Sequence, residues 1–350
     1  MPIINLPHTV TDFTCPVKGI EDMYEWKTGV RLPDYFLMPL SMIGFTNIKQ
    51  KAAPAPRMVF WSTATGKLQH TFLGEVIGYR WTCMEGKGYK TTLQAVKVCI
   101  DGGVPVMLGL LDMYHLPYYP KFYHHFHIPQ HYVLMVGYDD RKEEIYVLDN
   151  GLPEVQAIPY IDLQAAWDVH SPGLGEKNTF FWLDFNPKIA TQEEIARVGL
   201  KKRAQMFLNP PLKFMGLPGL KKFAAEFPHW DAELTPQGLH ESLMHLVTFT
   251  CSMVPMPPQR LLPYPIGHVD HHQATRDRFA ELLSDLARQY HIPAWEQAAV
   301  SFRESGRYIQ ELTDTICDHL QSGLLDTHKI ELAIDKIVIW EEKGFINLLG

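Results

Sequence analysis

The sequence lacks the signatures of several large protein classes. It contains no Walker A pattern and no glycine-rich dinucleotide-binding loop, so nothing in it indicates a reaction that uses ATP or a nicotinamide cofactor. Apolar runs such as Tyr132 to Val136 are far too short to span a bilayer. Met1 to Val10 has neither the basic region nor the apolar region of a signal peptide. We therefore expect a cytoplasmic protein that needs no cofactor and has no membrane partner.

Cysteine is scarce, and no two cysteines form a CxxC pair. The five cysteines are Cys15, Cys83, Cys99, Cys251 and Cys317. An odd number of scattered cysteines in a chain without an export signal is typical of free thiols in a reducing compartment. The sequence therefore does not predict a disulfide framework.

The overall composition is that of a globular protein with an excess of acidic residues. Of the 350 residues, 46% are hydrophobic and 20% are charged, and the formal net charge at pH 7 is −7. This composition excludes wholesale disorder. A negatively charged chain is also poorly suited to coat nucleic acid, so no nucleic-acid partner is expected. The length allows two domains of ordinary size.

Two patterns of secondary structure divide the chain near residue 187. Residues 1–187 combine short β-rich runs with a few helical segments, which predicts an α+β domain. Residues 188–350 show capped helical patterns, beginning with the capping box Thr191-Gln-Glu-Glu194, and predict a mainly α-helical domain. Within this half, the proline-rich stretch from Met253 to Pro265 is predicted to lack regular structure and to form a loop or lid.

The run from His131 to Asp149 predicts a β-hairpin that holds an imidazole beside a carboxylate. Residues 131–138 and 145–149 are rich in β-branched and aromatic residues, and a polar turn separates them. If the pairing is centred near Asp140, His131 lies across the ladder from Asp149 and both side chains leave the same face. His131 is then placed to act as a base, and Asp149 is placed to orient it.

Cys15 is the candidate nucleophile. Pro16 follows it directly, and Val17, Ile20 and Tyr24 then recur at helical spacing, so the thiol is expected at the N-terminus of a helix. The helix dipole and the unpaired amides favour a thiolate there. Cysteine early in the chain, histidine in mid-domain and aspartate one strand later is also the chain order of papain-like enzymes.

Each of these three residues also has a purely structural explanation. A cysteine at the start of a helix is often a small buried residue. A histidine at a strand edge can be satisfied by a backbone carbonyl. Asp149-Asn150-Gly151 is a good turn sequence, and Asn150 is the neighbouring candidate to orient the imidazole.

Several segments together resemble the family of butirosin biosynthesis protein H. These segments are Gly103-Val-Pro-Val, Asp112-Met-Tyr-His-Leu-Pro-Tyr118, Tyr123-His-His-Phe-His127, His131-Tyr-Val-Leu-Met-Val-Gly-Tyr138 and Val147-Leu-Asp149. The resemblance covers most of residues 10–187, and the helical half resembles, with weaker motifs, the region that follows in this family. It implies a papain-like N-terminal domain that moves an acyl group from a carrier-protein thioester to an amine.

The residues around the candidate nucleophile depart from this family. Family members often carry His-Cys at this position, where the present chain has Thr14-Cys15. Related bacteriocin-processing peptidases place a glutamine shortly before the cysteine for the oxyanion hole, whereas Gln50 is the first glutamine here. The sequence therefore assigns no oxyanion donor.

The segments that carry the resemblance are also predicted to line the substrate cleft. The rings of Leu116-Pro-Tyr-Tyr-Pro120 are candidates for an acyl pocket, with core packing as the alternative. The residues expected to contact substrate are Asp112, Tyr114, Tyr118 and His127.

Histidine is concentrated in two places that raise the question of a metal site. His115, His124, His125 and His127 could supply imidazoles, but adjacent strand residues face opposite sides and no cysteine or carboxylate stands at zinc-site spacing. A role beside the substrate channel is the favoured interpretation. The segment His268-Val-Asp-His-His272 is the second candidate, with helix capping or cleft lining as its alternative. No metal is predicted.

A basic cluster stands out on this acidic chain. It consists of Lys201, Lys202, Arg203, Lys213, Lys221 and Lys222. Carrier proteins are acidic and could dock on such a patch, but a solvated helix face is the commoner explanation.

These features together predict a cysteine-dependent acyltransferase that forms an amide or ester through an acyl-Cys15 intermediate. The expected donor is an acyl carrier protein or acyl-CoA, and the expected acceptor is a small-molecule amine. A hydrolase of the same fold, either peptidase or thioesterase, differs only in whether water reaches the acyl-enzyme. A non-catalytic relative that binds a carrier protein or small molecule is the third hypothesis, and the Thr14-Cys15 context is its best argument.

Overall fold

The computed structural model describes residues 2–11, 15–49, 56–62, 66–171, 175–247, 253–256, 260–263 and 273–350. It divides into two compact units. The first unit comprises Met1–Met38 and Thr65–Gln192, and the second comprises Pro39–Ala64 and Glu193–Gly350.

Helices occur in both units, and strands are concentrated in the first. The helices are α1 (Cys15–Thr28), α2 (Leu37–Met42), α3 (Gly66–Ile77), α4 (Tyr89–Asp101), α5 (Tyr160–Ala166), α6 (Gln192–Leu208), α7 (Gly216–Glu226), α8 (Trp230–Glu233), α9 (Pro236–Val247), α10 (Arg276–Tyr290), α11 (Pro293–Ser322) and α12 (Thr327–Asn347). The strands are β1 (Ile43–Lys49), β2 (Arg57–Ser62), β3 (Tyr79–Met84), β4 (Val106–Leu111), β5 (His131–Asp139), β6 (Glu144–Asp149), β7 (Leu152–Pro159), β8 (Phe180–Phe185), β9 (Met253–Met256) and β10 (Arg260–Pro263).

The first unit is built on a six-stranded antiparallel sheet with strand order β3-β8-β4-β5-β6-β7. The central strands β4 and β5 are apolar and almost entirely buried, as expected of strands that are covered on both faces. Helices and an antiparallel sheet in one unit agree with the predicted α+β class.

Helix α1 packs closely on the central strands of this sheet. A Cβ atom at Gly19 would lie 2.1 Å from the Met107 sulfur and 3.1 Å from Leu134 Cβ, so a larger residue here would require the Met107 side chain to move. Val17 and Ile20 are fully buried on the same helix. The packing therefore fixes the first turn of α1, which begins at Cys15.

The second unit joins a two-stranded ribbon, β1–β2, to the helices of the C-terminal half. The guanidinium of Arg276 on α10 is completely buried and pairs with Glu341 of α12 at 3.0 Å. It also donates to the backbone oxygens of Gly44 at 2.7 Å and Trp61 at 2.8 Å. Buried charge is stable only with such partners, and these partners tie the ribbon to the helices.

The two compact units are not divided at a single point in the chain. Pro39–Ala64 belongs to the second unit, and the chain passes from the first unit to the second again at Gln192/Glu193. The C-terminal half is mainly helical, but β9 and β10 pair where no regular structure was expected. That expectation was wrong because both strands of a two-stranded ribbon are edge strands, where proline is tolerated.

The sequence also gave no indication of β7 and α5. Strand β7 is largely exposed, and it includes Pro153, Glu154 and Gln156, so it has none of the apolar alternation that indicates a strand.

Across the part of the chain that the structure describes, none of the helices is both long enough and apolar enough to cross a membrane.

Candidate active site

The three predicted catalytic residues stand at the ends of regular elements. Cys15 is the first residue of α1, His131 is the first residue of β5, and Asp149 is the last residue of β6. Cys15 is half-buried, while His131 and Asp149 are 6% and 1% exposed. A thiol at a helix N-terminus lies near unpaired amides, which favour a negative charge.

His131 and Asp149 are joined by a short hydrogen bond between Nε2 and Oδ2, at 2.7 Å. The Cys15 side chain lies near enough to the same imidazole to raise its pKa. Because Asp149 occupies Nε2, Nδ1 is the nitrogen left to face the thiol. The structure thus brings the side chains of Cys15, His131 and Asp149 together in that order.

The strand register that produces this contact differs from the predicted one. The ladder pairs Leu134 with Leu148 and Met135 with Val147, with an irregularity before Gly137. Continuing that register places Asp149 level with Val133, so His131 and Asp149 are diagonal neighbours on one face. Pairing centred near Asp140 was wrong because the turn lies further along the chain, where Asp139 pairs with Glu144. The irregularity then shifts the ladder by one residue, which puts Asp149 on the face of His131, where it reaches the imidazole diagonally.

Electrostatics favour the protonated form of His131. Burial lowers the pKa of this imidazole, but the Asp149 carboxylate and the Cys15 side chain raise it, and the net effect is a pKa well above the usual value. A protonated imidazole beside the sulfur stabilises a thiolate. The arrangement can therefore hold a thiolate–imidazolium pair.

Two tyrosine hydroxyls complete the surroundings of the Asp149 carboxylate. Tyr118 donates to Oδ2 at 2.9 Å, and Tyr119 donates to Oδ1 at 3.0 Å. Burial, followed by the charge of Asp149, raises the pKa of Tyr118 well above its usual value. The Tyr118 hydroxyl thus binds Asp149, and its predicted contact with substrate stays a prediction.

Tyr119 was not singled out as a site residue by sequence reasoning. It belongs to the aromatic segment Leu116-Pro-Tyr-Tyr-Pro120, which was interpreted only as the wall of a pocket.

Asn150, the alternative orienting residue, is engaged elsewhere because its Nδ2 donates to the Thr11 carbonyl at 2.8 Å. Of the two neighbours, Asp149 is therefore the one that contacts His131.

The other three predicted substrate residues form a separate group. The Asp112 carboxylate accepts from the backbone amides of Tyr114 at 3.1 Å and Ile128 at 2.9 Å, and it pairs with His127 Nδ1 at 2.6 Å. The rings of Tyr114 and His127 stack at 4.0 Å. Asp112 therefore closes the base of the 112–130 loop, and His127 remains mostly exposed.

The structure describes only the first of the two histidine-rich segments, His115 to His127. Within those residues, no group of three or more His, Cys, Asp or Glu side chains could hold a metal ion. His115 and His124 lie edge-on or tilted against the Tyr114 ring. The segment His268–His272 lies outside the described residues, as does Thr14.

Comparison with known protein families is consistent with the resemblance found in the sequence. Residues 14–150 match the family model described as butirosin biosynthesis protein H, N-terminal. Residues 162–251 match a domain of unknown function (DUF4872). No curated protein matches the chain. The first match includes Cys15, His131 and Asp149.

A cavity of about 390 Å³ lies elsewhere on the first unit. Its lining residues are Gly88, Tyr89, Ile161, Gln164, Ala165, Asp168, Lys177 and Asn178. None of the residues predicted to act on substrate is among them.

The predicted basic cluster does not form one exposed patch. Arg203 is buried, and its guanidinium donates to the backbone oxygens of Leu40 and Ser41, the former at 3.0 Å. Lys221 pairs with Glu342 at 3.0 Å. Treating Arg203 as a surface cation was wrong because its planar group can satisfy backbone carbonyls inside the second unit.

Proposed function

We propose that this protein is a cysteine-dependent acyltransferase with a papain-like N-terminal domain in residues 1–187 and a mainly helical C-terminal domain in residues 188–350. The observation that carries the proposal is the contact series Cys15, His131 and Asp149, with the thiol at a helix N-terminus and the imidazole–carboxylate pair buried. This combination supplies a nucleophile, a base and an orienting group.

In the first half-reaction, the Cys15 sulfur attacks the carbonyl carbon of an acyl thioester. A carbon–sulfur bond to Cys15 forms, and the bond to the donor's sulfur breaks when the tetrahedral intermediate collapses. The His131 imidazolium gives its proton to the departing thiolate. Asp149 keeps the ring oriented through its 2.7 Å hydrogen bond.

In the second half-reaction, an acceptor amine attacks the acyl-Cys15 carbonyl carbon. Neutral His131 now accepts a proton from the amine nitrogen, and the bond between carbon and the Cys15 sulfur breaks. The products are an amide and the original thiolate–imidazolium pair. Amide formation from a thioester is downhill, so no nucleotide is required.

The proposed donor is an acyl carrier protein or acyl-CoA, and the proposed acceptor is a small-molecule amine. The family match of residues 14–150 supports a place in natural-product biosynthesis, since the matched family is described by a biosynthetic protein. Tyr114 and His127 stack within the 112–130 loop that Asp112 closes, and both are proposed to contact substrate. An ester is the product if the acceptor supplies a hydroxyl.

Intact-mass spectrometry after incubation with acyl-CoA and with acyl-N-acetylcysteamine thioesters tests this proposal. The wild-type protein should gain the mass of one acyl group. Cys15→Ala should gain none, and Cys99→Ala should behave as the wild type because this half-buried thiol lies outside the site. A folded wild-type protein that acquires no adduct from any donor would favour the non-catalytic binding relative.

Release of the adduct separates transferase from hydrolase. We expect primary amines to discharge acyl-Cys15 as an amide much faster than water discharges it as an acid. Chromatographic quantification of amide and acid measures this ratio. Acid as the dominant product with every amine offered would identify a thioesterase or peptidase instead.

A further inference from the structure

The N-terminal segment of the chain crosses the strands that carry the candidate site. Ile4 donates its backbone amide to the Val136 carbonyl at 2.8 Å, next to a bridge between Ile3 and Gly137. Further along, the Thr11 amide donates to the Asn150 carbonyl at 2.8 Å. Residues 2–11 therefore run along the first unit and end beside the turn that follows Asp149.

His8 lies in the middle of this segment, and its side chain is only 5% exposed. Its Nε2 is 3.1 Å from the Asp149 backbone oxygen and 3.0 Å from the Leu152 backbone oxygen. Its Nδ1 is 2.6 Å from Asp22 Oδ2 on α1. One imidazole thus connects α1 to both sides of the turn between β6 and β7.

The partners of His8 determine its protonation. Backbone carbonyl oxygens can only accept hydrogen bonds, so Nε2 must carry a hydrogen. The Asp22 carboxylate is also paired through its other oxygen with Lys18, at 2.7 Å. An ionised carboxylate only accepts, so Nδ1 must carry a hydrogen as well, and a ring with two such hydrogens is a cation.

The electrostatic surroundings agree with this assignment. Burial lowers the pKa of His8, but the hydrogen bond and charge of Asp22 and the Leu152 carbonyl outweigh it, and the pKa is raised above the usual value. The other charged groups in this cluster are on α1. Lys18 opposes the cation, and Glu21, 3.9 Å from Lys18, has its pKa raised to about 7 by burial.

We propose that His8 is a positioning residue that acts as a buried imidazolium and fixes the backbone of Asp149, and through Asp149 the orientation of His131. The role in catalysis rests on the proposed function above, whereas the charge of His8 does not. A neutral imidazole has only one N–H, so loss of the proton breaks either the link to Asp22 or the link to Asp149. Acyl transfer should therefore decline at high pH when His8 loses its charge.

Nitrogen-15 NMR of the histidine side chains tests the charge directly. At pH 7.5 the His8 ring should show two protonated nitrogens, assigned by their loss in His8→Gln. His70 is the internal control: burial lowers its pKa to about 3, so it should be neutral in the same spectrum. A neutral tautomer at His8 would overturn the inference whether or not the protein transfers acyl groups.

Two substitutions test the two hydrogen bonds of the His8 ring one at a time. In His8→Gln the amide nitrogen reaches the position of Nε2, so the hydrogen bond to the Asp149 backbone is kept. In His8→Asn the amide nitrogen reaches only the position of Nδ1, so the hydrogen bond to Asp22 is kept and the hydrogen bond to Asp149 is lost. His8→Asn should slow adduct formation at Cys15 by on the order of 10-fold, because misplaced catalytic groups lose rate steeply. His8→Gln should stay closer to the wild-type rate.

The pH profile of adduct formation distinguishes positioning from a merely structural role. The rate of adduct formation should fall less steeply at high pH in both variants than in the wild type, because neither asparagine nor glutamine has a titratable side chain. His170→Gln is the matched control, since His170 is exposed and pairs only at the surface with Glu176. Equal rates and unchanged profiles in His8→Asn and His8→Gln would refute the positioning role. If neither variant folds, the His8 ring signals can be assigned in the wild-type protein from their contacts with Asp22 and Leu152, and the wild-type spectrum still decides the charge.

If the wild-type protein forms no adduct, the acyltransferase proposal fails while the NMR result stands by itself. If the wild-type protein forms the adduct and His8 is neutral, the proposed function survives and the inference about His8 fails. The two proposals are therefore tested separately.

Discussion

At the scale of single residues, the site depends on how the Asp149 carboxylate is held. Three side chains donate to it: His131, Tyr118 and Tyr119. Asp149 is 1% exposed, so water has almost no access to its carboxylate. Hydrogen bonds to a buried charge are strong, and each one both restrains the carboxylate and reduces its basicity.

Substituting phenylalanine for Tyr118 or Tyr119 should weaken this hold. Tyr119→Phe should lower the free energy of unfolding by about 1–3 kcal/mol, because Oδ1 of the buried carboxylate is left without a donor. Tyr118→Phe should lower it by less, because Oδ2 keeps the hydrogen bond from His131. The less stabilised carboxylate should raise the pKa of His131 further, so the alkaline limb of adduct formation should move to higher pH. Urea unfolding and pH–rate profiles measure the two effects.

Tyr138→Phe is the control for these variants. The Tyr138 hydroxyl donates to Asp101 at 2.9 Å in an exposed position away from Asp149. Its removal should change stability by less than about 1 kcal/mol. The positioning role of the tyrosines would be contradicted if all three variants behaved alike.

The thiol of Cys15 should react selectively with iodoacetamide at mildly acidic pH. Burial raises the pKa of Cys83 and of Cys317 to about 11, and it also raises the pKa of Cys99. Cys15 instead lies beside His131, whose pKa is raised. Peptide mapping after brief labelling at about pH 6 should find Cys15 modified first.

The substitution His131→Ala should abolish this preference, because the imidazolium that stabilises the thiolate is removed. Cys251 lies outside the described residues and is mapped in the same experiment. Equal labelling of all five cysteines in the folded protein would argue against a thiolate–imidazolium pair.

At the scale of elements, each unit depends on a buried polar contact that joins distant segments. In the first unit, Asp112 closes the 112–130 loop at its base, and the tyrosines of that loop reach Asp149. In the second unit, Arg276 joins β1 and β2 to α10 and α12. Such contacts specify one arrangement of the elements because any other arrangement leaves a buried charge unpaired.

Arg276 and Arg278 offer a matched comparison on one helix. Arg276→Ala should lower the free energy of unfolding by about 3–5 kcal/mol, since Glu341 would remain buried without its partner. Arg278 pairs with Glu281 at the surface, and Arg278→Ala should cost no more than about 1 kcal/mol. Chemical denaturation of the two variants under one set of conditions measures the difference. A similar cost for both would show that the buried pair does not stabilise the unit.

At the scale of the whole molecule, the chain leaves the first unit and returns to it. Pro39–Ala64 belongs to the second unit although residues on both sides belong to the first. Phe45 and Trp61 pack together at 5.2 Å, and Phe45 also packs on Phe223 of α7 at 5.6 Å. The ribbon β1–β2 therefore needs partners that appear more than a hundred residues later.

A chain truncated after Gln192 should accordingly fail to fold stably within the 39–64 segment. The carbonyls of Gly44 and Trp61 would lose Arg276, and the apolar face of the ribbon would lose the helices. Limited proteolysis should cleave the truncated chain inside this segment and leave the full-length chain intact there. Equal protection of the segment in both chains would show that the ribbon is stable without the second unit.

Local sequence patterns were enough to predict several of the regular elements. The helix that starts at Cys15-Pro16, the hairpin between His131 and Asp149, and the helix after the Thr191 capping box are all present. These features depend on signals within a few residues, namely caps, turn residues and hydrophobic periodicity. The pairing of an imidazole with a carboxylate followed from the same local pattern.

The way in which these elements are held together depends on contacts that could be seen only in the tertiary structure. The register irregularity before Gly137, the hydroxyls of Tyr118 and Tyr119 on Asp149, and the reach of His8 to the same residue have no local signal. The membership of Pro39–Ala64 in the second unit likewise depends on Arg276. Such contacts form between residues far apart in the chain, where the packing of whole elements, rather than the preference of any short segment, determines which groups meet.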